Sequence, residues 1–299
     1  MTVVTVGETM VALRGEGLLR LGTSFRTSIA GAESNVAIGL SRLGHRTRWV
    51  SRVGEDEAGE LVLRTLRAEG VEVSTVERGP GPTGLILFEQ RLPDVTRVLY
   101  YRDGSAASAL TAADVLPALT GAALVHLTGI TPALGEGPRA AAEAVLGSDV
   151  PVSFDVNYRS RLWPAEAAAE VLTPLARRAH VVIGSADELA LVGGTEALLA
   201  AGVREVVTKQ GADGASASTV DGTWQAPGHR VPVVDSVGAG DAFTSGYLSG
   251  LLDGLSVPER LARGNACGAF AVATSGDWEG LPTRAELGLL GVEEGAALR

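Results

Sequence analysis

At 299 residues and 45% hydrophobic content, the chain can form one large α/β domain or two smaller ones. Its net charge of −10 argues against nucleic acid as a general partner, because no basic excess exists to neutralise phosphates. One cysteine, Cys267, excludes an intramolecular disulfide or a cysteine cluster. The opening MTVVTVGETM lacks a basic n-region and a long apolar run, and no later segment reaches bilayer length. The expectation is a cytoplasmic protein with no membrane partner.

In chain order, residues 3–6 read as a strand. Residues 35–43 read as a helix (Val36, Ile38, Leu40 and Leu43) that ends at Gly44. A strand at 47–53 and a helix at about 57–69 follow, the helix with Leu61, Val62, Thr65 and Leu66 inward and Gly70 as its stop. Residues 71–76, 83–90 and 97–102 read as consecutive strands with no helix between them. With residues 19–29 they predict a small antiparallel sheet inserted in the main domain, either a lid or a dimer surface. Strands at 123–127, 150–155, 181–184 and 205–208 then alternate with helices at 138–146 and 165–179. A helix after Gly240 and another at 258–274 complete the pattern. This alternation predicts an α/β protein with a mainly parallel sheet covered on both faces. Ligands of such sheets sit beyond the carboxyl ends of the strands.

Several of those ends carry polar sequences. In GAESNVA (31–37), Ser34 and Asn35 are either helix caps or ligand contacts. YYRDGSA (100–106) is either a binding wall or an amphipathic edge. DVNYRSRLW (155–163) brings Asn157, Tyr158 and Arg159 to a strand end, where an arginine fork suits a carboxylate or phosphate. The plainer alternative for Arg159 is a surface ion pair. In GSADE (184–188), Glu188 either orients water around a metal-nucleotide or serves as a first-turn helix acid. VVTKQGADGA (206–215) holds Lys209, the single lysine beside 24 arginines, ahead of Gly211 and Gly214. A strand-end lysine beside glycines is a candidate phosphate contact, although no GxxxxGK[ST] motif exists. His45, His126, His180 and His229 lie in unrelated contexts and predict no metal site. A nucleophile elbow and a GxGxxG after the first strand are both missing.

The stretch VDSVGAGDAFTSGYLSGLL (234–252) places Asp241 behind Gly238, Ala239 and Gly240. Phe243, Tyr247 and Leu251 recur every four residues, with Gly246 and Gly250 beside them, which predicts a closely packed helix. Its start is an anion site. Asp241 is then either an acid that suits the helix dipole or a base beside a bound phosphate.

GAESNVAIGLSRLG and DSVGAGDAFTSGYLSG together resemble the paired signatures of the ribokinase-like (PfkB) carbohydrate kinases, and the resemblance spans nearly the whole chain. YYRDGSAASAL, LTGITPAL and DVNYRSRLW most resemble the 2-keto-3-deoxygluconate kinases within that family. The resemblance implies a ribokinase-like three-layer α/β/α domain over 1–299, with lid strands drawn from about 12–30 and 71–102. It implies ATP-dependent phosphorylation of the terminal hydroxyl of 2-keto-3-deoxygluconate, with ATP and Mg2+ as cofactors. Gly31, Asn35, Tyr100, Arg102, Ile130 and Arg159 would line the sugar-acid site, with Arg102 and Arg159 facing the carboxylate. Asn157, Ser185, Glu188, Lys209, Gly211, Gly214 and Asn265 would lie along the nucleotide. Gly238, Ala239, Gly240 and Asp241 would form the anion hole, with Asp241 as base and its pKa lowered by the helix end. Mg2+ would be held mostly by phosphates and water, with few protein carboxylates. Ile86 stands where related kinases carry a tyrosine, and Ser185 where many carry asparagine. A fructokinase, ribokinase or other neutral-sugar or nucleoside kinase is the nearer alternative, and a silent sugar-binding regulator the farther one. Exposed lid edges need cover, which predicts a homo-oligomer, a dimer or higher, through the lid.

Overall fold

Val3, Val4 and Val6 are buried along the first strand, β1 (Thr2–Val6), as an interior parallel strand requires. The computed structural model describes residues 2–92 and 95–291. After β1 come β2 (Met10–Gly15), β3 (Phe25–Ala30), α1 (Ala32–Arg42), β4 (Arg46–Val50), β5 (Arg52–Gly54) and α2 (Glu57–Ala68). Next are β6 (Glu77–Gly79), β7 (Leu85–Leu92), β8 (Val95–Tyr101), α3 (Ala112–Val115), β9 (Ala122–Thr128) and α4 (Glu136–Leu146). Then follow β10 (Val152–Asp155), α5 (Ala165–Ala176), β11 (Val181–Ser185), α6 (Ala186–Leu191), α7 (Gly194–Ala200) and β12 (Glu205–Lys209). The hairpin of β13 (Ala215–Thr219) and β14 (Gly222–Ala226) precedes α8 (Ala239–Leu252) and α9 (Val257–Val272).

Eight strands form one sheet in the order β14-β13-β12-β11-β10-β9-β1-β4. The six from β12 to β4 are parallel to their neighbours, and β13 pairs antiparallel with both β12 and β14. Successive residues alternate between the faces, as the strand repeat demands. Leu127, Phe154 and Val182 pack against Val145 of α4 and Leu172 of α5. Leu124, Ile183 and Val207 pack on the other side against Val36 and Leu40 of α1 and Phe243 and Tyr247 of α8. The expected three layers are therefore present. Among the described residues, no helix is long and apolar enough to cross a membrane.

The small sheet has the order β3-β2-β7-β8 and covers the carboxyl ends of the main strands. It corrects the expectation in two ways. β2 and β7, which come from separate stretches of chain, are parallel, so the sheet is mixed rather than antiparallel. Residues 71–76 form no lid strand. Val71 and Val73 are buried with Trp49 and Leu66 in the main body, and Glu72 makes a single bridge to Arg48. The lid strands β2, β3, β7 and β8 are drawn from the stretches expected, about 12–30 and 71–102, with β2 starting two residues earlier and none from 71–76.

Candidate active site

The ends of β1, β9, β10 and β12 border a cavity of about 1210 Å³, with lid residues lining its other side. From β1 the chain runs through Gly7, Glu8 and Thr9 into the lid and returns along β3 to Gly31. A Cβ at Gly31 would lie 2.4 Å from the Glu8 carbonyl oxygen, so the crossing admits no side chain. Gly31 is the N-cap of α1, which places Glu33, Ser34 and Asn35 inside the helix and buried. The capping alternative for Ser34 and Asn35 therefore falls. Asn35 instead donates from Nδ2 to Asp241 Oδ2 at 2.8 Å.

Gly238 opens α8 with φ 76°, and a Cβ there would come 1.9 Å from the Asp277 carbonyl oxygen. Both facts require glycine. The helix start leaves first-turn N–H groups without intrahelical partners, directed toward the cavity that Gly238, Gly240 and Asp241 line. Asp241 lies in that turn. Loss of solvation pushes its pKa up to about 6, with Asp155 adding to the rise and Asn35, Lys209 and Arg159 opposing it. The lowering expected from the helix end does not occur, because desolvation outweighs it.

Lys209, at the end of β12, donates from Nζ to Asp155 Oδ2 at 2.6 Å, and Thr244 Oγ1 donates to the same oxygen at 3.2 Å. Burial works against the ammonium, but Asp155, Glu188 and Asp241 together raise its pKa. Lys209 passes under the anion loop, since a Cβ on Gly240 would lie 3.4 Å from Nζ. Asn157, just beyond β10, has φ 39°, the only positive φ of a non-glycine among the described residues. Such strain gathers at functional sites. Glu188 accepts from Tyr158 N at 3.0 Å and Ser185 N at 2.8 Å and completes a capping box with Ser185. Its helix-acid role is thus real, and it also lines the cavity.

On the sugar side, Arg102 is ion-paired with Glu8, which also accepts from Ser105 Oγ at 2.5 Å. Arg102 Nε and Asn35 Oδ1 are buried without a protein hydrogen-bond partner, as fits groups that meet a polar ligand. Arg159 is exposed and lines the same cavity, with Tyr100, Ile130 and Ile86. Among the described residues Arg159 makes no ion pair. Arg159 Nη1 donates to the Tyr158 carbonyl at 3.4 Å.

Twelve of the anticipated residues line this one cavity: Gly31, Asn35, Tyr100, Arg102, Ile130, Asn157, Arg159, Glu188, Lys209, Gly238, Gly240 and Asp241. Ala239, Ser185, Gly211, Gly214 and Asn265 do not line it. Asn265 Nδ2 is committed to the carbonyls of Ala226 and Pro227, each at 3.0 Å. Gly214, with φ 101°, packs against that segment, where a Cβ would lie 2.1 Å from Ala226 O. Glu8, Glu33 and Asp277 line the cavity but were not anticipated. Burial pushes Glu33 up to about 7 against hydrogen bonds from Thr128 and Thr131. Burial likewise takes Asp277 to about 7, with Arg14 opposing. Glu33 sits inside the GAESNVA stretch and Glu8 at a strand end, so both were open to notice. No local pattern marks Asp277. Among the described residues no group of three or more His, Cys, Asp or Glu side chains could hold a metal.

This arrangement can bind an anion at a helix start and abstract a proton beside it, which is the chemistry of phosphoryl transfer. The family description "pfkB family carbohydrate kinase" matches residues 2–284. A 2-dehydro-3-deoxygluconokinase of Bacillus subtilis is 40% identical over 302 aligned positions, covering 95% of this chain and 93% of the relative. One from Thermoproteus tenax is 35% identical, covering 95% and 92%. The crystal structure of a PfkB protein from Polaromonas is 38% identical with a TM-score of 0.87, covering 96% of this chain and 99% of that one. The fold, the site and these likenesses agree: the chain belongs to the pfkB family of carbohydrate kinases.

Proposed function

We propose that the chain is one cytoplasmic kinase domain that phosphorylates the terminal hydroxyl of 2-keto-3-deoxygluconate, giving the 6-phosphate. The observation that carries this reading is Asp241 at the glycine-rich start of α8, in one cavity with Asn35, Lys209, Arg102 and Arg159. Magnesium-bound ATP would supply the γ-phosphoryl group, with the metal held mostly by the phosphates and water. A sugar kinase of Pyrococcus horikoshii solved in complex with ATP, 25% identical with a TM-score of 0.85, supports ATP as the donor.

Asp241 takes the proton of the attacking hydroxyl. Asn35 fixes the carboxylate through Oδ2 and leaves Oδ1 to the substrate. The N–H groups of Gly238 to Asp241 hold the transferring group, with Lys209 beneath them adding positive charge. The lid would exclude water once substrate is bound and so limit wasteful hydrolysis. Ser185, Gly211, Gly214 and Asn265 act from behind the cavity wall, by holding the segments that border the nucleotide. Arg159 grips the substrate carboxylate, and Arg102 assists through the edge that Glu8 leaves free.

A neutral sugar is the second reading. It is favoured by one observation, that Glu8 already neutralises Arg102. The lid edge β8 exposes Val95 and Tyr101, and the adjoining Leu92 of β7 is also exposed, so an unpaired apolar edge is available for a second copy. We place the homo-oligomer contact there.

The deciding experiment is a coupled ADP-release assay with Mg-ATP and a panel of 2-keto-3-deoxygluconate, its galactonate epimer, gluconate, fructose, ribose and adenosine. Strong preference for a keto-deoxy acid is expected. Turnover of neutral substrates alone would remove the carboxylate reading, and turnover of none would remove the kinase reading.

A further inference from the structure

The lid meets the loop that starts α8 through the packing of Val237 on Met10, Ala12 and Phe88 and through the polar bonds of one side chain. Arg14 lies in β2, and its guanidinium stacks over the Phe88 ring at 4.1 Å. Nη1 donates to Asp235 Oδ2 at 3.0 Å, and Nη2 is ion-paired with Asp277. The two acids belong to different segments, and both brace Gly238. Asp235 accepts from Val237 N at 3.1 Å and from Gly276 N at 3.3 Å. The Asp277 carbonyl is the atom that excludes a side chain from Gly238. Val234 N also donates to Val272 O at 2.7 Å, which ties the approach to α8 to the end of α9.

Arg14 therefore closes a junction of three parts: the lid, the 235–238 loop and the 276–277 segment. Arg14 opposes the burial-driven rise in the pKa of Asp277, so without it Asp277 takes up a proton and the bonds that hold the two acids to the lid are lost. A planar fork can bond both acids at once, which a lysine ammonium does less well. Asp277 lines the cavity, whereas Arg14 is not part of the cavity wall.

We propose that Arg14 is a positioning residue for phosphoryl transfer. It locks the 235–238 loop so that the first N–H groups of α8 face the transferring group, and it makes that geometry depend on a seated lid. The proposal rests on the kinase reading of the Gly238–Asp241 loop. A misplacement of about 1 Å at such a loop costs on the order of 100-fold in rate without a matching loss of binding.

The test compares amide hydrogen exchange and steady-state kinetics of wild type, Arg14→Met and Arg14→Lys. In ligand-free Arg14→Met, exchange over 235–241 should accelerate by at least about tenfold, with β9 to β12 unchanged. kcat should fall by about 100-fold while the KM of the turned-over sugar moves less than about threefold. Arg14→Lys should recover part of kcat. Unchanged exchange at 235–241, acceleration confined to β2 and β3, or a kcat near wild type would each overturn the proposal. If Arg14→Met fails to fold, Arg14→Gln takes its place under the same exchange and kcat criteria. The exchange arm uses no substrate, so failure of the kinase reading would show separately, as wild-type protein that turns over no sugar.

Discussion

Asp241 answers to two demands at the scale of a single residue. As a base it must be ionised, yet its surroundings resist the charge and hold its pKa near 6. The pH profile of kcat/KM for the free enzyme should therefore rise through about pH 6 and level off above it. A profile flat from pH 5 to 8 would exclude Asp241 as the base. The same shift predicts a gain of stability on losing function. A carboxyl whose folded pKa lies above its ordinary 3.8 binds more protons in the native state, so its stabilising effect fades as pH rises through that window. Asp241→Asn should thus lose orders of magnitude in kcat, still bind substrate, and melt higher than wild type at pH 8. The difference should shrink toward pH 5. Gly238→Ala should cost at least about 1–3 kcal/mol in denaturant titrations, since φ 76° and the Asp277 carbonyl both oppose a methyl group. The Gly-Ala-Gly-Asp stretch was legible because a glycine pair before a helix calls for a backbone reason. The pairing of Arg102 with Glu8 and the rise in the pKa of Asp241 were not, since both depend on groups brought together only by the fold.

At the scale of elements, α8 shows why small residues were informative. A Cβ on Gly246 would come 2.7 Å from Arg263 O, and one on Gly250 would come 3.1 Å from the Arg260 Cα. These glycines let α8 and α9 approach, as the four-residue repeat of Phe243, Tyr247 and Leu251 foretold. The parallel strands were legible because burial on both faces leaves runs such as VVTV and VVIG. The hairpin β13–β14 was not, because ASAST and GTWQA are short and largely polar, as an edge permits. Residues 71–76 misled for the converse reason: alternating valines look like a lid strand but are buried against α2. Across the lid, Arg161 donates to the Val98 carbonyl at 2.8 Å, a strap from the main body to the edge strand β8. Arg161→Ala should leave the thermal midpoint nearly unchanged and raise the uncoupled hydrolysis of ATP relative to sugar phosphorylation. An unchanged ratio would argue against the strap.

Over the whole molecule, the single thiol offers a probe of global opening. Cys267 is fully buried between α8 and α9, and burial pushes its pKa up to about 12. It should react with a disulfide reagent only as the chain unfolds, with a rate that follows denaturant concentration. Rapid labelling of native protein would show local opening of the α8–α9 pair. Fold class and layers were legible from alternation, and most of the cavity residues from the strand-end sequences taken together with the family resemblance. The bracing of the site was hidden because it is long-range. Asn35 and Asp241 stand 206 positions apart, and Arg14 and Asp277 stand 263 apart.

Those separations bear on how the chain comes to be. Contacts between distant positions form late, because the loop must close before the contact repays it. A chain emerging during synthesis displays Arg102 and Arg159 well before α8 exists. Until then Val36 and Leu40 of α1 lack the Phe243 and Tyr247 surface that covers them. The growing polypeptide is therefore without its proton acceptor and carries an uncovered greasy face, a stage at which chaperones have most to bind.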